Sequence, residues 1–143
     1  HPKLNVVMAE QGSSWVVGTL KGWDSSYQRP MFKHLIAGLP LKPSEYFARQ
    51  VFVAASMLRP EECALRHKIG VDKLMWGSDY PHMEGTWPNT MDSLRATFGS
   101  YPEDETRRIL GTNAAEVYGF DLEALAPIAE KFGPALSDIT AGL

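Results

Sequence analysis

The sequence predicts an α/β fold built on parallel strands, and three observations carry that expectation. Val6–Ala9, Val51–Ser56 and the run opening at Leu74 are short and continuously apolar rather than strictly alternating, as strands covered on both faces are. Between them lie stretches with helical periodicity, far too long for hairpins, so right-handed parallel crossovers follow. Each run also passes into polar residues: Glu10-Gln11-Gly12, Ser56, and Gly77-Ser78-Asp79-Tyr80-Pro81-His82. In parallel α/β architectures, chemistry sits just beyond the carboxyl ends of the strands.

Taken in order, Pro2 introduces the first strand and Glu10 to Gly12 close it. Ser13 or Ser14 is placed to cap the helix that follows. Its apolar face is Trp15, Val16, Thr19, Leu20, Trp23 and Tyr27, at three- and four-residue steps, with Gly18 and Gly22 weakening it. Pro30 ends that pattern. A loop punctuated by Gly and Pro runs from Ala37 to Pro43, and Pro43-Ser44-Glu45-Tyr46-Phe47 starts a short helical turn. The second strand, Val51–Ser56, is rich in β-branched and small residues. Arg59-Pro60-Glu61-Glu62 then opens a helix expected to run through Ala64, Leu65, His67 and Ile69 to a stop at Gly70. After the third strand, Trp87-Pro88-Asn89-Thr90 precedes a helix carrying Met91, Leu94 and Phe98. Tyr101-Pro102 opens another with Ile109, Leu110, Ala114, Val117 and Tyr118 on its buried side. From Asp121 onward, Leu122, Leu125, Ile128 and Phe132 are spaced as a weakly amphipathic helix, followed by Gly133-Pro134 and an end expected to fray. The chain divides into residues 1–120, holding the strand-and-helix units, and a helical tail over 121–143.

Composition narrows the functional classes. With 143 residues and a net charge of -3, the chain is long enough for a real core, and its mild acidity without a basic stripe argues against nucleic-acid binding. No apolar run reaches bilayer length. The one cysteine, Cys63, can form no internal disulfide, which suits a reducing, cytoplasmic setting. It reads as a buried structural thiol, since no histidine can be placed beside it. His1-Pro2-Lys3 lacks both an initiator Met and the zones of a signal peptide, so a processed or truncated chain is expected.

Asp79 is the leading site candidate. At the end of a buried strand its carboxylate can face a metal with one oxygen and water with the other, whereas the plainer alternative is a turn or cap aspartate. Glu10 holds the analogous place after the first strand, weighed equally against a solvated loop acid. His82 is close enough to orient Asp79 or touch substrate. Trp15, Tyr80 and Trp87 are candidates for the pocket mouth, against the commoner alternative of simple packing. His1, His34 and His67 share no helix face and are read as surface or structural residues. Ser78 beside Asp79 and His82 does not make a serine hydrolase, because the Gly-x-Ser-x-Gly elbow is missing, and no Gly-rich phosphate loop occurs.

Four blocks in order make a more specific pattern: Pro2-Lys3-Leu4, Leu41-Lys42-Pro43-Ser44-Glu45-Tyr46-Phe47, the run from Ile69 through His82, and Ile109-Leu110-Gly111-Thr112-Asn113-Ala114-Ala115. Together they resemble the C-terminal part of the amidohydrolase-related metal-dependent hydrolases, in the branch that includes aminocarboxymuconate-semialdehyde decarboxylase. The resemblance implies a TIM-type (β/α)8 barrel of which this chain supplies the last three βα units, a partial barrel. It also implies a divalent metal, commonly zinc, held in the family by a His-x-His pair, a mid-barrel histidine and the aspartate ending the last strand. Only that aspartate maps here, onto Asp79. In the decarboxylase branch a histidine follows the strand aligned with Val6–Ala9, and here that position is Glu10. The departure favours hydrolysis of a small organic substrate by metal-activated water over nonoxidative decarboxylation of an aromatic or enoic acid. The remaining alternative is an inactive barrel fragment serving as an interaction module. With most ligands elsewhere, the isolated chain is expected to be inactive and to self-associate or pair with the missing N-terminal barrel segment.

Overall fold

A computed structural model describes residues 1–140. Its centre is a parallel sheet in the order β1 (Val6–Ala9), β2 (Val51–Ser56), β3 (Leu74–Gly77). Val6 lies opposite Val51, and Val53 opposite Leu74. Successive side chains alternate between faces. One face, carrying Val53, Ala55 and Leu74, is fully buried beneath helices; the other presents Phe52, Ala54 and Ser56, only half-buried.

The covering helices are α1 (Trp15–Tyr27), α2 (Lys33–Ile36), α3 (Pro43–Gln50), α4 (Pro60–Cys63), α5 (Arg66–Ile69), α6 (Thr90–Phe98), α7 (Glu103–Arg107) and α8 (Asn113–Tyr118). Val16, Phe47, Leu58, Cys63, Ile69, Leu94, Phe98 and Ile109 close over the sheet as one apolar cluster. Of the face expected on α1, only its first half reaches that cluster. Trp23 is 55% exposed and, with Tyr27, walls an apolar hollow of about 270 Å³ beside Phe32, Leu35 and Tyr46.

Four sequence expectations need correction. Neither Ser13 nor Ser14 caps α1 through its hydroxyl. Glu62 does the work from across the fold, its Oε1 accepting the Ser13 and Ser14 backbone N–H groups at 2.7 and 3.2 Å. The helix expected from Pro60 to Ile69 is broken at Ala64-Leu65 into α4 and α5. Cys63 and Ile69 are both buried in the core, yet six residues of unbroken α-helix would point them about 120° apart. The helix from Glu103 to Tyr118 contains a π-helical turn over Arg108–Thr112. Finally, residues after Gly133-Pro134 do not fray: past α9 (Leu122–Phe132), Leu136–Thr140 form α10, with Ile139 buried and the Asp138 carbonyl accepting Arg95 Nε at 2.8 Å. The remainder of that expected frayed end, Ala141 to Leu143, lies outside the described residues. The apolar stripe of α9 is present, but Leu122, Leu125, Ile128 and Phe132 all stay exposed.

Beneath β3, the buried Asn113 donates from Nδ2 to the Val71 and Leu74 carbonyls, each at 2.7 Å. This fastens the entry of the strand to α8. Asn113→Ala is expected to lower stability by about 2–3 kcal/mol, since two carbonyls lose their donor. Asn113→Asp is expected to do at least as much damage, a carboxylate having nothing to donate; urea midpoints of the three proteins check both.

Burial pushes the Cys63 thiol up to about 11. An unfolded thiol ionises near its ordinary 9.0 while the native one keeps its proton, so this group's contribution to stability is lost as pH rises from 9.0 toward about 11. At pH 8 the native protein is expected to resist alkylation by iodoacetamide and the urea-unfolded protein to react promptly, as followed by mass spectrometry.

Candidate functional site at the carboxyl ends of the strands

Parallel pairing brings the three strand ends to one rim, and the backbone does something unusual at each. The residues at or just beyond them, Glu10, Met57 and Asp79, have φ of +56°, +53° and +61°. Left-handed backbone costs a residue with a Cβ roughly 1–2 kcal/mol, and such strain gathers at functional sites. The Met57 N–H also crosses to the Gly77 carbonyl at 2.9 Å, lacing the ends of β2 and β3 together.

The segment beyond β3 is folded tightly by its own backbone. His82 N–H donates to the Asp79 carbonyl at 2.7 Å, Gly85 N–H to the His82 carbonyl at 3.0 Å and Thr86 N–H to the Ser78 carbonyl at 2.9 Å. Gly85 is required by this closeness, since a Cβ there would stand 2.8 Å from the Ser78 oxygen and 3.0 Å from those of Asp79 and His82. The fold leaves the Asp79 side chain 19% exposed and the His82 ring 61% exposed, with Nδ1 of His82 3.7 Å from Oδ2 of Asp79. That separation is ion-pair contact rather than a hydrogen bond. The exposed Tyr80 and Trp87 rings meet edge-to-face at 6.2 Å in the same segment, whose Tyr80-Pro81 and Trp87-Pro88 peptides are cis.

Glu10 stands two strands away, roughly 10 Å by interstrand spacing. It lines a cavity of about 440 Å³ with Ser56, Met57, Arg59 and Glu62. Asp79 and His82 are not in that lining. Trp15 is half-buried against the core with its Nε1 enclosed and unpartnered. The rim therefore gathers Asp79 with His82, and Tyr80 with Trp87, while Glu10 belongs to a neighbouring hollow. Ser56, Met57 and Arg59 escaped sequence reasoning, although the end of the second strand was visible. Met57 is apolar and gives no sign of its strained backbone.

No three His, Cys, Asp or Glu side chains among the described residues gather closely enough to hold a metal ion. One carboxylate with an imidazole beside it is only part of a donor set, so these residues do not build a divalent site by themselves.

The arrangement is that of a section of a (β/α)8 barrel, with polar groups at the carboxyl rim. The sequence profile of the amidohydrolase family matches residues 1–120, and the chain belongs to that family. Among solved structures it is similar to 5-carboxyvanillate decarboxylase from Sphingomonas paucimobilis, with 24% identity and a TM-score of 0.66 over 84% of this chain and 35% of that one. It is also similar to an amidohydrolase from Mycobacterium avium subsp. paratuberculosis K-10, with 28% identity and a TM-score of 0.63 over 86% of this chain and 30% of the other. The chain thus spans about a third of the length of these relatives and forms a partial barrel. No curated protein matches it in sequence.

Because the Glu10 side chain is exposed, Glu10→Gly removes the left-handed penalty while sacrificing little packing. After the extra chain entropy of glycine, a net gain of about 0.5 kcal/mol is expected in thermal or urea unfolding.

Proposed function

We propose that this chain is the C-terminal part of a metal-dependent hydrolase acting on a small organic substrate, with Asp79 as one donor to a divalent ion, zinc by preference. The single observation behind the proposal is the enclosed Asp79 carboxylate, carried on strained backbone at the end of the last strand with His82 beside it. In this reading the rest of the donor set comes from another part of the barrel. His82 orients the Asp79 carboxylate, Glu10 acts as a further acid or base at the rim, and Tyr80 and Trp87 form an aromatic wall against substrate. Trp15, whose indole packs against the core, is the further aromatic proposed to line the pocket mouth.

Hydrolysis is preferred to decarboxylation because an acid, not an imidazole, follows β1. The partner proposed for this chain is the remainder of the barrel. The support is the open sheet: β1 and β3 each pair on one side only among the described residues, and unpaired strand edges seek a neighbour.

The test is made on the full-length protein. Metal content is measured by plasma mass spectrometry, and ester and amide hydrolysis is compared with carbon dioxide release from aromatic carboxylates. Asp79→Asn is expected to cut both bound metal and turnover by at least about 100-fold, more than the loss of a residue that merely supports a ligand. Unchanged metal and turnover in that variant would remove Asp79 from the site; carbon dioxide release without hydrolysis would replace the reaction.

A further inference from the structure

We infer that Glu62 is a positioning residue: its carboxylate sets where the Glu10 segment stands on the rim. The inference rests on the reading of Glu10 as a site acid, and adds the group that holds it.

Glu62 is 8% exposed, and a carboxylate so enclosed needs donors for its charge. It has three, all backbone N–H groups. Oε2 takes Arg59 at 3.3 Å, which closes the start of its own helix α4. Oε1 is turned the other way and takes Ser13 at 2.7 Å and Ser14 at 3.2 Å, 49 and 48 residues distant in sequence. A local helix cap needs only the first contact. The other two reach the segment that leaves β1, where Glu10 sits in left-handed backbone and α1 has no cap of its own. One side chain thus joins the exits of β1 and β2.

Gly12 shows how closely the two parts are fitted. Its backbone passes so near Glu62 that an added Cβ would run into Oε1. A methyl there would drive the carboxylate off the Ser13 and Ser14 amides. Glu62 and Gly12 are therefore two halves of one device, and a change in either should disturb the same two hydrogen bonds. Aspartate cannot substitute, being one methylene too short to span from α4. Glutamine keeps the length and can leave its carbonyl oxygen on Ser13 and Ser14, but that oxygen carries no charge and its NH₂ confronts the Arg59 backbone donor, so both bonds weaken.

The experiment is amide hydrogen exchange, read by NMR on the full-length protein and on Glu62→Gln, Glu62→Asp and Gly12→Ala. The Val53 and Ala55 amides report global opening. The expected result is exchange at Ser13 and Ser14 faster by roughly ten- to hundredfold in Glu62→Asp and Gly12→Ala, as for the loss of a hydrogen bond to a charged acceptor, and faster by less in Glu62→Gln, with Val53 and Ala55 unchanged. The double variant Glu62→Gln/Gly12→Ala should go no further than the stronger single one. With p-nitrophenyl acetate as probe ester, kcat should fall by roughly ten- to hundredfold and KM stay within about twofold, because a displaced catalytic group costs rate rather than binding. Unaltered exchange at Ser13 and Ser14, or equal acceleration at Val53 and Ala55, overturns the inference. So does a KM that rises in step with any fall in kcat. Should Glu62→Gln fail to fold, Gly12→Ala makes the same measurement with Glu62 in place. The exchange result does not depend on turnover, so an inert Glu10→Gln substitution would defeat the site reading and leave the clamp measurable.

Discussion

Parallel pairing is the constraint from which the rest of the molecule follows. β2 is bonded in parallel to β1 on one side and β3 on the other, so the chain must return to the same end of the sheet before each new strand. The returns are helical, and their apolar faces bury Val53, Ala55 and Leu74. The same constraint delivers all three strand exits to one rim. Residues distant in sequence, such as Glu10, Met57 and Asp79, come to that one rim, where the Met57 N–H to Gly77 bond and the Glu62 contacts to Ser13 and Ser14 lace adjacent exits together.

Elements whose cause is local were legible in the sequence. The three strands stand where continuous apolar runs placed them, and Pro30, Pro43 and Gly70 punctuate the chain as their backbone chemistry requires. What could not be read was set by contacts at long range. Two serines before a helix are good candidates for a cap, but a glutamate 48 and 49 residues away took the amides instead. Periodicity through Ala64 and Leu65 suits one helix, yet burying both Cys63 and Ile69 demanded two. Gly133-Pro134 looked like the start of a loose end, whereas Ile139 found a place against α6.

The rim shows the same division. Strand-end position marked Asp79 and Glu10, and the structure puts both on left-handed backbone. Their separation by two strands, with only Glu10 lining the cavity at the end of β1, is a matter of strand order that no motif encodes. Anchoring and backbone strain are also kept apart along the strand axis: Asn113 holds the entry of β3, while the strained residues occupy the exits. Rigidity at one end allows an unfavourable backbone to persist at the other.

The π-helical turn at Arg108–Thr112 bears on how this segment is compared with its relatives. A π turn accommodates one more residue than the α-helical turn it interrupts, so the faces on its two sides do not belong to a single helical wheel. Thr106 belongs to the helix before it, Ile109 to the turn itself, Asn113 and Ala115 to the helix after it, and all four are buried. A relative one residue shorter across Leu110 or Gly111, a gap of one position in an alignment, would wind this turn as ordinary α-helix and could keep the buried faces on both sides of it. An alignment forced through without that gap would exchange buried positions for exposed ones along the rest of the helix.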